Sequence, residues 1–222
     1  MPATLLEQRD ALAELDAELD LALIDVLDAA PRDPAELPVF LQEHAPGVVL
    51  SFAGGAGALA AFWYDDLRDL VAGGGFAADA ALPAAFEARV AGNVAWATGP
   101  YAREQASLGT TGSRLFGTAG RAVLDAHRET VMVAATSDPA AKGWGRFGNG
   151  KSCDFCRMLI SRGAVYREGT RFASHDRCRC VCGPVFGDMR PVAKFVPSQR
   201  VISPVEQTAR KRRVDDWITA NL

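Results

Sequence analysis

The chain has 222 residues, 49% of them hydrophobic and 23% charged, which excludes wholesale disorder and a collagen-like repeat and leaves room for one large or two modest domains with a real core. Its formal charge of −3 conceals a polarised molecule: residues 1–100 carry 16 acidic and 4 basic side chains, while residues 101–222 carry 11 acidic and 20 basic. All five cysteines fall between Cys153 and Cys182, a crowding with an odd count that argues for metal over a disulfide framework in a reducing compartment.

The amino terminus holds Glu7, Arg9 and Asp10 with no basic region leading into an apolar run, so it does not read as a secretory signal and synthesis in a cytoplasm is expected. Thr4-Leu5-Leu6-Glu7 has the form of a capping box and opens a first helix that Pro31 closes. Leu5, Leu12, Leu15, Leu19 and Val26 lie on a heptad stripe, widened by Leu23 and Leu27, and Glu14, Asp16, Glu18, Asp20 and Asp25 fill the remainder. This is an acidic amphipathic helix, expected to pack on its own domain.

A second helix is predicted over residues 34–43 and a third over 55–72, where Leu59, Phe62, Trp63, Leu67, Leu70 and Val71 form one face ended by three glycines. Pro83 starts a fourth, with Phe86, Val90 and Val94 four apart, and Gly99-Pro100 stops it. The fifth and longest is predicted over residues 103–136, weakened at Gly109, Gly112, Gly117 and Gly120 by ~1 kcal/mol each relative to alanine. No useful strand alternation is read before residue 150, so residues 1–137 are expected to form a helical domain. The uncharged stretch from Ala45 to Tyr64 is nearly long enough to cross a bilayer, but four glycines, a proline and six alanines leave few large apolar groups, and a membrane role is not expected.

Character changes at Ser137-Asp138-Pro139: from Lys142 to Arg213 there are 16 basic and 5 acidic residues. Gly143 to Gly148 reads as a flexible connector with two aromatic anchors, and short extended pieces are expected at Val165-Tyr166 and Arg171-Phe172. The fold class expected is mainly α, with a helical N-terminal domain, a small zinc-stabilised α+β module over 138–187 and a basic C-terminal helical tail over 188–222. In that tail Ser203-Pro204-Val205-Glu206 opens a helix carrying Arg210-Lys211-Arg212-Arg213, which is suited to salt-dependent, non-sequence-specific contact with double-stranded DNA, or to an acidic protein surface.

Cys153 and Cys156 form a C-x2-C knuckle, the spacing at which two thiolates share one ion. With His175, and either Cys178 or Cys180 as fourth ligand, they make a tetrahedral Cys3His site, and thiolate with imidazole favours Zn2+ over oxygen-loving cations. Four ligands and a spare describe a closed, structural zinc, which replaces the core that so small a module lacks. Its formal charge of about −1 would be offset by Arg157, Arg177 and Arg179. No catalytic residues are assigned. The three histidines are His44, His127 and His175: two lie in helical stretches and the third is wanted by zinc, so neither an HNH-type nuclease nor a cysteine nucleophile finds its base. No P-loop and no G-x-G-x-x-G after a strand are read as sites, and G-x-S-x-G and H-E-x-x-H are missing.

The segment Cys153 to Phe186 resembles the carboxy-terminal motif of the MuF-like minor capsid (head morphogenesis) proteins of tailed bacteriophages, closest to the form in phages of actinobacteria. The resemblance is carried by C-x2-C, by the M-L-x-S-R-G-x-V-Y turn from Met158 to Tyr166, and by F-x-x-H-D-x-C-x-C from Phe172 to Cys180. Upstream, Phe62 to Arg68, Ala95-Trp96-Ala97 and Gly143-Trp144-Gly145-Arg146 extend it to about residues 40–186. It implies a non-enzymatic component of the virion, assembled in the host cytoplasm and held inside the capsid near the portal. The partners implied are the portal protein and other head proteins, with self-association and packaged DNA as further contacts, and some such proteins are delivered with the genome. Cys182 departs from the pattern as an extra cysteine, and no protease or toxin domain is fused here. The alternative from another class is a zinc-ribbon-type nucleic-acid-binding protein.

Overall fold

The computed structural model describes residues 5–147, 154–167, 170–174, 178, 180–187, 208 and 212. Thr4, Cys153, His175, Arg177, Arg179 and nearly all of the basic tail lie outside the described residues. The described chain is mainly helical: α1 (Leu5–Ala29), α2 (Glu36–Ala72), α3 (Phe86–Ala102), α4 (Leu108–Ser137) and α5 (Asp154–Ser161), with strands β1 (Ala141–Phe147), β2 (Val165–Tyr166) and β3 (Val181–Phe186).

Two expected helices are one. The second and third merge into α2, 37 residues long, with Pro46 inside it. Proline removes one intrahelical hydrogen bond and crowds the preceding turn, a cost of ~3 kcal/mol. Here Leu37, Leu41, Ala45, Val49, Ala53, Ala56 and Ala60 form a continuous stripe with at most 1% exposure, and that burial carries the helix through. The small residues serve approach: a methyl on Gly57 would already touch Thr130 Oγ1 of α4 at 3.4 Å. Among the described residues α2 is the one helix long and apolar enough to cross a membrane; its stripe lies at the centre of the helical core.

The expected stop at Gly99-Pro100 is also overrun, since α3 continues to Ala102, where Gln105 donates its N–H to the Pro100 carbonyl. The fifth helix starts later than expected, at Leu108, because the Ser107 hydroxyl accepts the Thr110 N–H as an N-cap. Its glycines do not break it. At Gly120 a methyl would stand 2.6 Å from Asp16 Oδ1, so the missing side chain is what lets α1 lie against α4.

The absence of strand before residue 150 was wrong. Gly143 to Phe147 is not a flexible connector: it lies in β1, the central strand of an antiparallel sheet ordered β2-β1-β3. Trp144 stands opposite Tyr166 on one side and Pro184 on the other. The glycines that hid the strand are required by it. Gly143 sits at a bulge with φ +134°, where a side chain would collide with the Tyr166 carbonyl oxygen. Val165-Tyr166 is extended as expected, whereas Arg171-Phe172 is not a strand.

Two large clusters make most of the described core, with Met158 and Leu159 of α5 forming a small third. One fills the space among α1, α2, α3 and α4 around Leu19, Leu41, Val49, Val94 and Leu115. In the other, Tyr64 of α2 and Val131 and Ala135 of α4 meet Trp144, Tyr166, Phe172 and the cysteines. Asp138 ties the two helix ends together beside it. Buried, it accepts from the Tyr64 hydroxyl and from Arg68 Nε, each at 3.1 Å, while Arg68 also donates to the carbonyls of Ala72, at the end of α2, and of Gly73 and Gly74 just after it. One guanidinium thus closes a helix terminus and neutralises a buried carboxylate. The Tyr64 hydroxyl is pushed far up, by burial first and then by the Asp138 charge.

His127 is fully buried in α4 against Gln8 of α1. Burial, and then the neighbouring Arg128 charge, push its pKa down to about 3 from 6.5. The unfolded chain takes up a proton below pH 6.5 that the fold refuses. Stability present in full above that pH therefore declines as pH falls towards 3, by about 2 kcal/mol between pH 6.5 and pH 5. Urea titrations at pH 7 and pH 5 should show this loss in the native chain and a correspondingly smaller one in His127→Gln.

Candidate metal centre

Three cysteines converge from two separate places in the sequence. Cys156 stands in the first turn of α5, and Cys178 and Cys180 lie just before β3. All three are buried, and their sulfurs lie within 4.8 Å of one another. Cys156 Sγ and Cys178 Sγ are 3.6 Å apart, and no disulfide links the described cysteines. A tetrahedron of thiolates with Zn–S bonds of ~2.3 Å has edges of about 3.8 Å, so the spacing suits a shared ion and is far longer than a covalent S–S bond. Three buried thiols at this separation could hold a metal.

The sequence left Cys178 and Cys180 as alternatives; the fold brings both to Cys156. Cys153 and His175, the other two expected ligands, lie outside the described residues. Cys182 is set apart: its Sγ donates to the Arg128 backbone carbonyl at 3.4 Å, and burial pushes its pKa up to about 12. It is a protonated core thiol.

Among the described residues, charge compensation comes from arginines other than the expected Arg157. Arg157 pairs at the surface with Asp154 at 3.7 Å, and Arg177 and Arg179 lie outside the described residues. Arg128 and Arg146 take the role. Arg128 projects from α4 with 1% exposure. Its Nε and one terminal nitrogen donate to the Cys180 carbonyl at 3.0 and 2.6 Å, and that terminal nitrogen also reaches the Cys178 carbonyl at 2.8 Å. The other terminal nitrogen binds Asp125 at 2.7 Å. Arg146 of β1 reaches Cys156 Sγ at 3.5 Å and the Ala173 carbonyl at 2.8 Å. Both guanidiniums lie over the Phe172 ring, at 4.5 and 3.6 Å from its centroid.

This setting stabilises negative sulfur. Hydrogen bonds from Cys156 and Cys180 hold the Cys178 thiol well below its usual range, and the Arg128 charge adds to them. Cys156 is pushed up by the same bonds and by burial, so the cluster retains a proton that a divalent ion would displace. Arg128 could have been suspected from the sequence, since an arginine one step from His127 on the apolar side of a helix needs a buried partner. Nothing in the sequence said that the partner was a backbone fifty residues away.

No curated protein and no solved structure matches the chain. A family profile does: that of the family described as VG15 protein matches residues 3–199, a span that takes in all four main helices, the sheet and the cysteine cluster. The match supports a phage protein, and the chain belongs to the VG15 protein family.

Proposed function

We propose that the chain is a minor capsid protein of the MuF-like kind, acting in head morphogenesis inside the capsid at or near the portal, with a structural and not a catalytic role. The observation that carries this reading is the buried three-cysteine cluster in a chain of a phage family, formed by the same segment, Cys153 to Phe186, whose motif resembles those proteins. In this reading a zinc ion is held by Cys156, Cys178 and Cys180, with Cys153 or His175 as fourth donor, and supplies cohesion to a small module. Helix and sheet faces meet the portal and other head proteins, and the basic segment after residue 187 meets packaged DNA.

Mass spectrometry of purified virions and of proheads should find the chain in both or in proheads alone, co-purifying with portal. Its absence from both would overturn the capsid reading. A sequence-selective footprint on DNA by the isolated protein would point instead to a zinc-ribbon DNA binder.

A further inference from the structure

A cleft of about 780 Å³ opens between the start of α3, the outer side of α4 and the loop after β2. Exposed Arg89, Arg167 and Arg171 and half-buried Arg121 stand around it, and Met132 and Val133 line it between them. Among the described residues its acidic members are already engaged or subdued. Asp125 is shared by Arg89 at 3.4 Å, Arg121 at 3.8 Å and Arg128 at 2.7 Å, and burial pushes the Glu129 carboxyl up. The cleft therefore carries excess positive charge at its rim and apolar surface within.

The opposite pattern lies on α1. Its inner side packs in the core through Leu12, Leu19 and Leu23, whereas Ala13, Ala17, Leu21 and Ile24 run along the outer side at helical spacing, Leu21 63% and Ile24 42% exposed. Exposed Glu14, Glu18 and Asp25 border that row. A nucleic-acid strand would satisfy the arginines but leave Met132 and Val133 against phosphate and sugar. An acidic helix with an apolar row satisfies both parts at once.

From this complementarity of charge and apolar surface we infer that the outer side of α1 in one copy of the chain docks in the arginine-rimmed cleft of a second copy. The two surfaces differ, so the contact is head-to-tail and propagates into a ring or a chain. The inference stands apart from the capsid reading and does not need it.

Two full-length variants test it, Arg121→Glu with Arg171→Glu, and Glu18→Lys with Asp25→Lys, studied by sedimentation velocity at about 0.1 mM protein, where a micromolar contact is populated. The native chain should self-associate at low salt and weaken at least tenfold as salt screens the rim. Each variant alone should remain monomeric, and an equimolar mixture of the two should reassemble, because each then offers the charge the other lacks; reassembly also shows that both are folded. A native chain that stays monomeric, or a mixture that does not reassemble, overturns the inference. A native chain that stays monomeric yet binds a short oligonucleotide through the same arginines assigns the cleft to nucleic acid instead.

Discussion

Arg128→Ala is expected to detach the cysteine-bearing segment from the helices at a cost of about 3–5 kcal/mol, the range seen when one partner of a buried charge network is removed. The alanine leaves the Cys178 and Cys180 carbonyls without their donor and deprives Asp125 of its shortest ion pair. It also strips the Phe172 ring of one of its two cationic neighbours. Urea unfolding would measure the loss, and thiol labelling would locate it. In the native chain Cys156, Cys178, Cys180 and Cys182 are buried and should react slowly, whereas in the variant they should react at rates approaching those of free thiols. Arg128→Lys should recover only part of the stability, since an ammonium keeps the charge but lacks the planar fork that reaches two carbonyls and a carboxylate together. A loss below about 1 kcal/mol would mean that water substitutes for the guanidinium.

The second large effect concerns the metal. Protein purified without chelator should carry one equivalent of zinc by elemental analysis. Cys178→Ser or Cys156→Ser should lower its retention by at least about tenfold, since a neutral hydroxyl replaces a thiolate in a closed site. Stripping the metal from the native chain leaves three thiols packed beside two buried guanidiniums. The near-ultraviolet signal of Trp144, which packs at 4.6 Å on Tyr166 and 5.9 Å on Phe172, should collapse while the helical signal persists. Stoichiometric metal in both serine variants would refute the ligand set.

Much of the helical part was legible because its signals are local. Leu12, Leu19, Leu23 and Leu27 announce the buried side of α1 by spacing alone, and Phe86, Val90 and Val94 do the same for α3. The errors came where local and tertiary preferences oppose each other. Pro46 signals an interruption, yet the stripe from Leu37 to Ala60 outweighs it. Gly143 and Gly145 signal a loop, yet they are in β1 because the neighbouring strands leave no room for side chains: a methyl on Gly145 would meet Val185 Cγ2 at 3.3 Å. The cysteines were legible as a group because their chemistry singles them out. The partners of Arg128 and Arg146 were not, since backbone carbonyls and a sulfur distant in sequence leave no local mark beside either arginine.

The bond from Arg128 to the carbonyls of Cys178 and Cys180 also has a consequence for biosynthesis. A nascent chain emerges amino end first, so α1 to α4 leave the ribosome before the segment that accepts this guanidinium. Until about fifty further residues have followed, Arg128 has its ion pair with Asp125 but not its backbone acceptors, and β1 lacks its neighbour β3. The unfinished protein therefore displays a charged notch beside an unpaired strand edge, a state prone to capture by other chains. Premature termination anywhere between Phe147 and Cys180 would leave it so permanently, and such fragments should be cleared by proteases or accumulate as aggregates instead of persisting as a free helical domain.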